Sequence, residues 1–173
     1  DGLCGSLSFT TITTVGILYL LAGNNESSFC FILAASILGF LCFNWPPAKL
    51  FMGDSGSQFL GFMIAVIPLF DSNNILEHNK FLIIVTLSAF PIFDTIAAIW
   101  RRIRDKRPIM SPDKAHLHHK LLNLGYTKNT VLYLVAFIQI ILCFLVVLSY
   151  FLGTLKGSMI LLLSLSFITL FFT

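Results

Sequence analysis

An all-α bundle of membrane-spanning helices is the fold class that three observations predict. Of 173 residues, 57% are hydrophobic and only 11% charged, against about 25% charged in an average soluble domain. The apolar stretches run continuously and lack the alternation that a membrane barrel requires. A mean hydropathy of +0.89 and 18 Phe residues describe a surface suited to hydrocarbon.

Taken in order, the apolar runs put spans near 8–23, 29–43, 57–70, 81–100, 129–152 and 157–173, about six in a single domain over 1–173. A full span needs about 20 residues, so the third is short and the second marginal. Tilt, local thinning or a re-entrant hairpin would accommodate them. Lys and Arg accumulate on the cytoplasmic side of short loops. Eight of the eleven lie between Arg101 and Lys128, which sets that loop in the cytoplasm. Counting spans back brings the 44–56 insert, with Lys49, and the 1–7 segment to the same face. The outer connections, around Asn24–Ser28, Asp71–Lys80 and Gly153–Lys156, carry only Lys80 and Lys156. With its net charge of +3 gathered in one loop, the chain is not a nucleic-acid binder. Cys4, Cys30, Cys42 and Cys143 show no CxxC spacing and predict neither a disulfide framework nor a thiolate metal site. The chain opens at Asp1 without a signal peptide and closes inside an apolar run, so both ends read as cuts in a longer protein.

Two polar motifs interrupt this pattern. In Asn44-Trp45-Pro46-Pro47-Ala48-Lys49-Leu50-Phe51-Met52-Gly53-Asp54-Ser55-Gly56-Ser57 the prolines break the helix, and a carboxylate then sits among glycines and serines just before the next one. Glycine lets a ligand approach the backbone, and a helix N-terminus offers free N–H groups to phosphate. Asp54 is therefore the candidate ligand for Mg²⁺, or Mn²⁺ in its place, a hard cation held by a carboxylate and phosphate oxygens. An isolated Asp and Ser cap is the plainer reading of Gly53–Gly56. The second motif, His116-Leu117-His118-His119, holds three of the four histidines beside Lys114, Lys120 and Arg107. His116 and His119 can share a helix face, while His118 cannot join them. The surrounding charge favours an anion over zinc, and the plainer alternative is a basic loop touching lipid headgroups. Asp94, in Pro91-Ile92-Phe93-Asp94-Thr95, is an acid inside an apolar run, which makes a site role the default reading. An interfacial ion pair with Arg101 or Arg102 is the alternative.

These residues resemble the bacterial polyprenyl-phosphate N-acetylhexosamine-1-phosphate transferases. The resemblance rests on Asp1-Gly2-Leu3-Cys4-Gly5-Ser6-Leu7, the 44–57 insert, Pro91–Thr95, and the string from Ser111 to Leu122 that contains the histidines. It implies transfer of HexNAc-1-phosphate from a UDP-HexNAc to undecaprenyl phosphate at the bacterial inner membrane, with release of UMP. The H-x-H-H form is similar to the branch that starts O-antigen, common-antigen or teichoic-acid linkage units. The resemblance further implies Asp54 as metal ligand and His116, His118 and His119 as catalytic residues at the diphosphate. Asp1, Asn44, Lys49, Ser55, Gly56, Asp94 and Lys114 become substrate-binding candidates, and a homodimer is compatible. Cys4 stands where the family pattern has a second aspartate. The family's aspartate-rich motif belongs to helices before residue 1, so an incomplete catalytic site is expected in these residues. A degenerate or truncated homologue is the competing reading, and a transporter of anionic solutes a more distant one.

Overall fold

In the computed structural model, which describes residues 1–70, 79–108 and 116–172, every regular element is helical. Lys114 lies outside the described residues, as do the side chains of His118, Phe171 and Phe172. The helices are α1 (Leu3–Leu21), α2 (Ser27–Asn44), α3 (Gly53–Val66), α4 (Lys80–Leu87), α5 (Ala89–Arg104), α6 (Leu117–Asn123) and α7 (Lys128–Phe172), with a 3₁₀ turn (Ile67–Phe70) after α3.

α1 and α2 form a close antiparallel pair. A Cβ on Gly5 would come 2.7 Å from Leu41 Cδ2, and one on Gly16 would come 3.0 Å from Cys30 Cβ. Small residues let membrane helices pack this tightly, where hydrophobicity alone drives no association. α1 stops because Gly23 adopts φ 69°, with Asn24 N–H donating to Tyr19 C=O (2.8 Å) and Gly23 N–H to Leu20 C=O (3.1 Å). The core is built from Ile12, Val15, Leu18 and Tyr19 of α1 against Cys30, Ala34 and Ile37 of α2, together with Ile83, Leu87, Val146 and Leu161. Outward faces are apolar too: Phe81, Leu155 and Phe167 are each more than 70% exposed. Such a surface calls for hydrocarbon, and the protein is an integral membrane protein.

Among the described residues three helices are long and apolar enough to cross a membrane, α1, α2 and α7, or four with α4 and α5 counted as one broken span. The expected third span is a helix of 14 residues, which Pro68 closes into the 3₁₀ turn. The Ile67 carbonyl accepts the buried Tyr19 hydroxyl at 2.8 Å. The fifth and sixth expected spans are one helical run interrupted at Gly153 (φ 77°, ψ 179°). Leu142 and Ile168 pack in one cluster with Ala89. Twenty-six residues of straight helix would hold them about 39 Å apart, so α7 turns back on itself at Gly153, and only glycine takes that φ without strain.

The expected span 81–100 is corrected to two helices that meet at 71°. In a straight helix the Leu87 carbonyl would accept from residue 91, which is Pro91 and has no N–H. The buried Gln139 side chain supplies the missing donor, Nε2 to Leu87 O at 2.9 Å, and the Thr11 hydroxyl adds a second at 3.3 Å. Polar side chains of neighbouring helices thus satisfy a backbone group that lipid could not. The bend directs α5 toward the end of the bundle where the polar motifs gather.

Candidate functional site

Four interactions draw the motifs to one end of the bundle. Gly2, at φ 72°, donates its N–H to Asn44 Oδ1 (2.8 Å), and Asn44 Nδ2 donates to Leu50 C=O (2.6 Å). Asn44 is buried, so its amide ties the start of α1 to the loop after α2. The Lys128 ammonium lies 3.6 Å from the Asp1 carboxylate. The Trp45 and Tyr133 rings pack tilted at 49° with a 5.9 Å centroid separation, joining the same loop to α7.

The fourth interaction is the densest. Asp94, one turn beyond Pro91 on α5, has a side chain only 14% exposed. Its Oδ2 lies 2.9 Å from His116 Nδ1, and its Oδ1 accepts the Leu117 N–H at 3.0 Å. The acid inside the apolar run therefore meets the histidine motif, not Arg101 or Arg102. Asp94 and His116 close the polar end of a hollow of about 490 Å³ whose walls are largely apolar, among them Leu3, Leu7, Ile64, Leu87 and Phe90. Cys4, Ser8, Thr11 and Ser57 also line it. A smaller hollow of about 250 Å³ lies across Leu3 and is lined by Asp1, His119, Leu122 and Lys128. His116 and His119 thus serve two adjoining hollows, one mostly greasy and one bearing both charge signs.

Asp54 is placed differently. It is exposed in the first turn of α3, one turn before Ser57, whose hydroxyl donates back to the Asp54 carbonyl (3.0 Å). Lys49 and Ser55 are exposed nearby, and Gly56 is half-buried. Among the described residues no group of three or more His, Cys, Asp and Glu forms a metal cage. That excludes a closed zinc site built from them, which needs three or four protein ligands. Asp54 by itself could contribute one carboxylate to Mg²⁺ or Mn²⁺, with substrate phosphates and water completing the shell.

Sequence reasoning missed Lys128, the Leu117 N–H, and the Gln139–Leu87–Thr11 junction. A signal existed for the last: Gln139 is an amide in the otherwise apolar run 134–148, and such a group needs a partner.

The family model "Glycosyl transferase family 4" matches residues 1–71. The chain is 40% identical over 142 residues to the probable undecaprenyl-phosphate N-acetylglucosaminyl 1-phosphate transferase of Bacillus subtilis (strain 168), covering 80% of this chain and 40% of the relative. It is 40% identical over 115 residues to the decaprenyl-phosphate N-acetylglucosaminephosphotransferase of Mycobacterium leprae (strain TN), covering 60% of this chain and 29% of that protein. To the undecaprenyl-phosphate alpha-N-acetylglucosaminyl 1-phosphate transferase of Escherichia coli (strain K12) it is 29% identical over 140 residues, 78% of this chain and 38% of the relative. The chain therefore spans less than half the length of these curated relatives. No solved structure gives a significant match.

Proposed function

This chain belongs to glycosyl transferase family 4, and on that premise we propose that it forms part of a HexNAc-1-phosphate transferase acting on undecaprenyl phosphate. The donor is a UDP-HexNAc, the products are undecaprenyl-diphosphate-HexNAc and UMP, and the step initiates an envelope polysaccharide such as O-antigen, common antigen or a teichoic-acid linkage unit. The observation that carries this reading is the apolar hollow closed by Asp94 and His116. Its shape suits an amphiphile that is hydrocarbon along its length and phosphate at its tip.

In the reaction an oxygen of the lipid phosphate attacks the phosphorus that bears the sugar. The bond from that phosphorus to the bridging oxygen breaks, and the electron pair leaves with UMP. The nucleophile is already ionised at neutral pH, so positioning and charge neutralisation do most of the work. His116 meets the acceptor phosphate at the end of the greasy hollow, while His119 and Lys128 face the donor's diphosphate from the smaller one. Asp54 would hold Mg²⁺, which offsets charge on the leaving phosphate when bound. The bias of Lys and Arg toward this end supports a cytoplasmic site at the bacterial inner membrane.

Cys4 favours a second reading, a degenerate homologue, because this thiol lines the hollow where the family pattern has a carboxylate. UMP release by membranes carrying the protein, with undecaprenyl phosphate, Mg²⁺ and a panel of UDP-HexNAc donors, separates the two. Release that requires lipid and metal supports the transferase. Silence with every donor, regained with Cys4→Asp, would establish the degenerate form.

A further inference from the structure

We infer that Asp94 is a positioning residue that sets the ring orientation and tautomer of His116, and does not itself bind substrate. The role matters for catalysis only within the transferase reading, but the orientation can be tested without it. Both carboxylate oxygens are already engaged, Oδ2 with His116 Nδ1 and Oδ1 with the Leu117 N–H. A side chain 14% exposed, with each oxygen committed to the histidine segment, is poorly placed to recognise a phosphate that shares its charge. An ionised carboxylate only accepts, so Nδ1 carries the proton and the lone pair of a neutral ring sits on Nε2. This is the logic by which an acid behind an imidazole fixes which nitrogen does the chemistry.

The geometry also states where the orientation originates. Asp94 lies on α5 just past the bend at Ser88, and His116 lies 22 residues further along the chain. Two bonds to consecutive residues, one to a ring and one to a backbone N–H, hold both position and rotation of the first turn of α6. Gln139 and Thr11 secure the Leu87 carbonyl at the bend, so the same junction that redirects α5 aims Asp94. The plainer alternative is that Asp94 merely caps α6. The two differ for Asp94→Asn: an amide oxygen still accepts the Leu117 N–H, but an amide NH₂ facing Nδ1 forces the proton onto Nε2.

The deciding experiment is ¹⁵N NMR of the histidine-labelled protein in lipid vesicles at about pH 9, where an ordinary imidazole is neutral. The His116 signal is assigned by its loss in His116→Gln. We expect the Nδ1–H tautomer for His116 in the unaltered protein and the Nε2–H tautomer in Asp94→Asn at an unchanged melting temperature. An Nε2–H ring in the unaltered protein overturns the inference with no variant needed, and so does a tautomer that survives Asp94→Asn. In the UMP assay Asp94→Asn should lower kcat by about 10²- to 10⁴-fold with donor KM within about threefold. A kcat that stays put with a switched tautomer removes the catalytic role. If the unaltered protein releases no UMP, the transferase reading fails while the NMR result still decides the orientation.

Discussion

Asp54 and Asp94 are both single acids next to apolar helices, yet the fold uses them in opposite ways. Asp94 is sunk beside the bend of α5, and both its oxygens are taken by His116 and the Leu117 N–H. Asp54 stands exposed in the first turn of α3, and no side chain among the described residues engages it within a metal-binding cluster. One carboxylate is spent on building the site and the other is left for something that arrives from outside. A buried acid therefore reads as architecture until a ligand is found on it, and an exposed one at a helix start reads as a hand held out.

The comparison breaks most visibly at Asp54. Asp54→Asn should lower lipid-dependent UMP release by about 10³-fold or more, while melting in detergent shifts by less than about 1 kcal/mol, the scale of one charge at a helix end. Raising Mg²⁺ or replacing it with Mn²⁺ should not restore the rate, because the missing group is the ligand. If Asp54→Asn instead unfolds the protein, Asp54 is a builder of the fold and not a ligand.

Much of this end of the molecule is legible in the amino-acid order, and the reason is local. Hydropathy needs only short windows, so α1, α2 and both limbs of α7 are readable. Direction is not readable in the same way. Residues 81–100 are apolar enough for one span, and the 71° break depends on Pro91 denying a donor to a carbonyl four residues earlier. Whether such a denial bends or merely kinks a helix is decided by Gln139, 52 residues away from Leu87. The Asp94–His116 pair is hidden for a similar reason: each residue is conspicuous alone, but only the bend brings them together. Asn44 illustrates the converse. It looked like a substrate contact, and the structure occupies its amide with two backbone groups.

That gives the next two effects. Asn44→Ala strands the Gly2 N–H and the Leu50 C=O and should cost about 2–4 kcal/mol of stability, read as a melting shift with secondary loss of activity. A variant as stable as the parent would mean that the Gly2 and Leu50 groups find water, and that the amide is available to substrate after all. Gln139→Leu should cost about 1–2 kcal/mol, because lipid offers the Leu87 carbonyl nothing in exchange. The cost should shrink when Pro91→Ala is present, since residue 91 then supplies its own N–H. A double-mutant cycle measures that coupling, and purely additive melting shifts would show that the bend does not rest on Gln139.

The smallest effect is expected at Lys128, and it tests whether the partnered acids are all alike. Asp1 has a partner as Asp94 does, but the Lys128 ammonium is 3.6 Å away on a side chain that is 72% exposed. Water and salt screen such a pair, and exposed pairs typically contribute less than about 1 kcal/mol. Lys128→Gln should therefore move the melting temperature hardly at all. Lys128 also lines the smaller hollow with His119, so its charge remains available to an anionic donor. Donor KM should rise a few-fold at low ionic strength and converge with that of the parent as salt is raised, with kcat unchanged. A melting loss comparable to that of Asn44→Ala would instead make the Asp1–Lys128 pair a structural bond of the Asn44 kind.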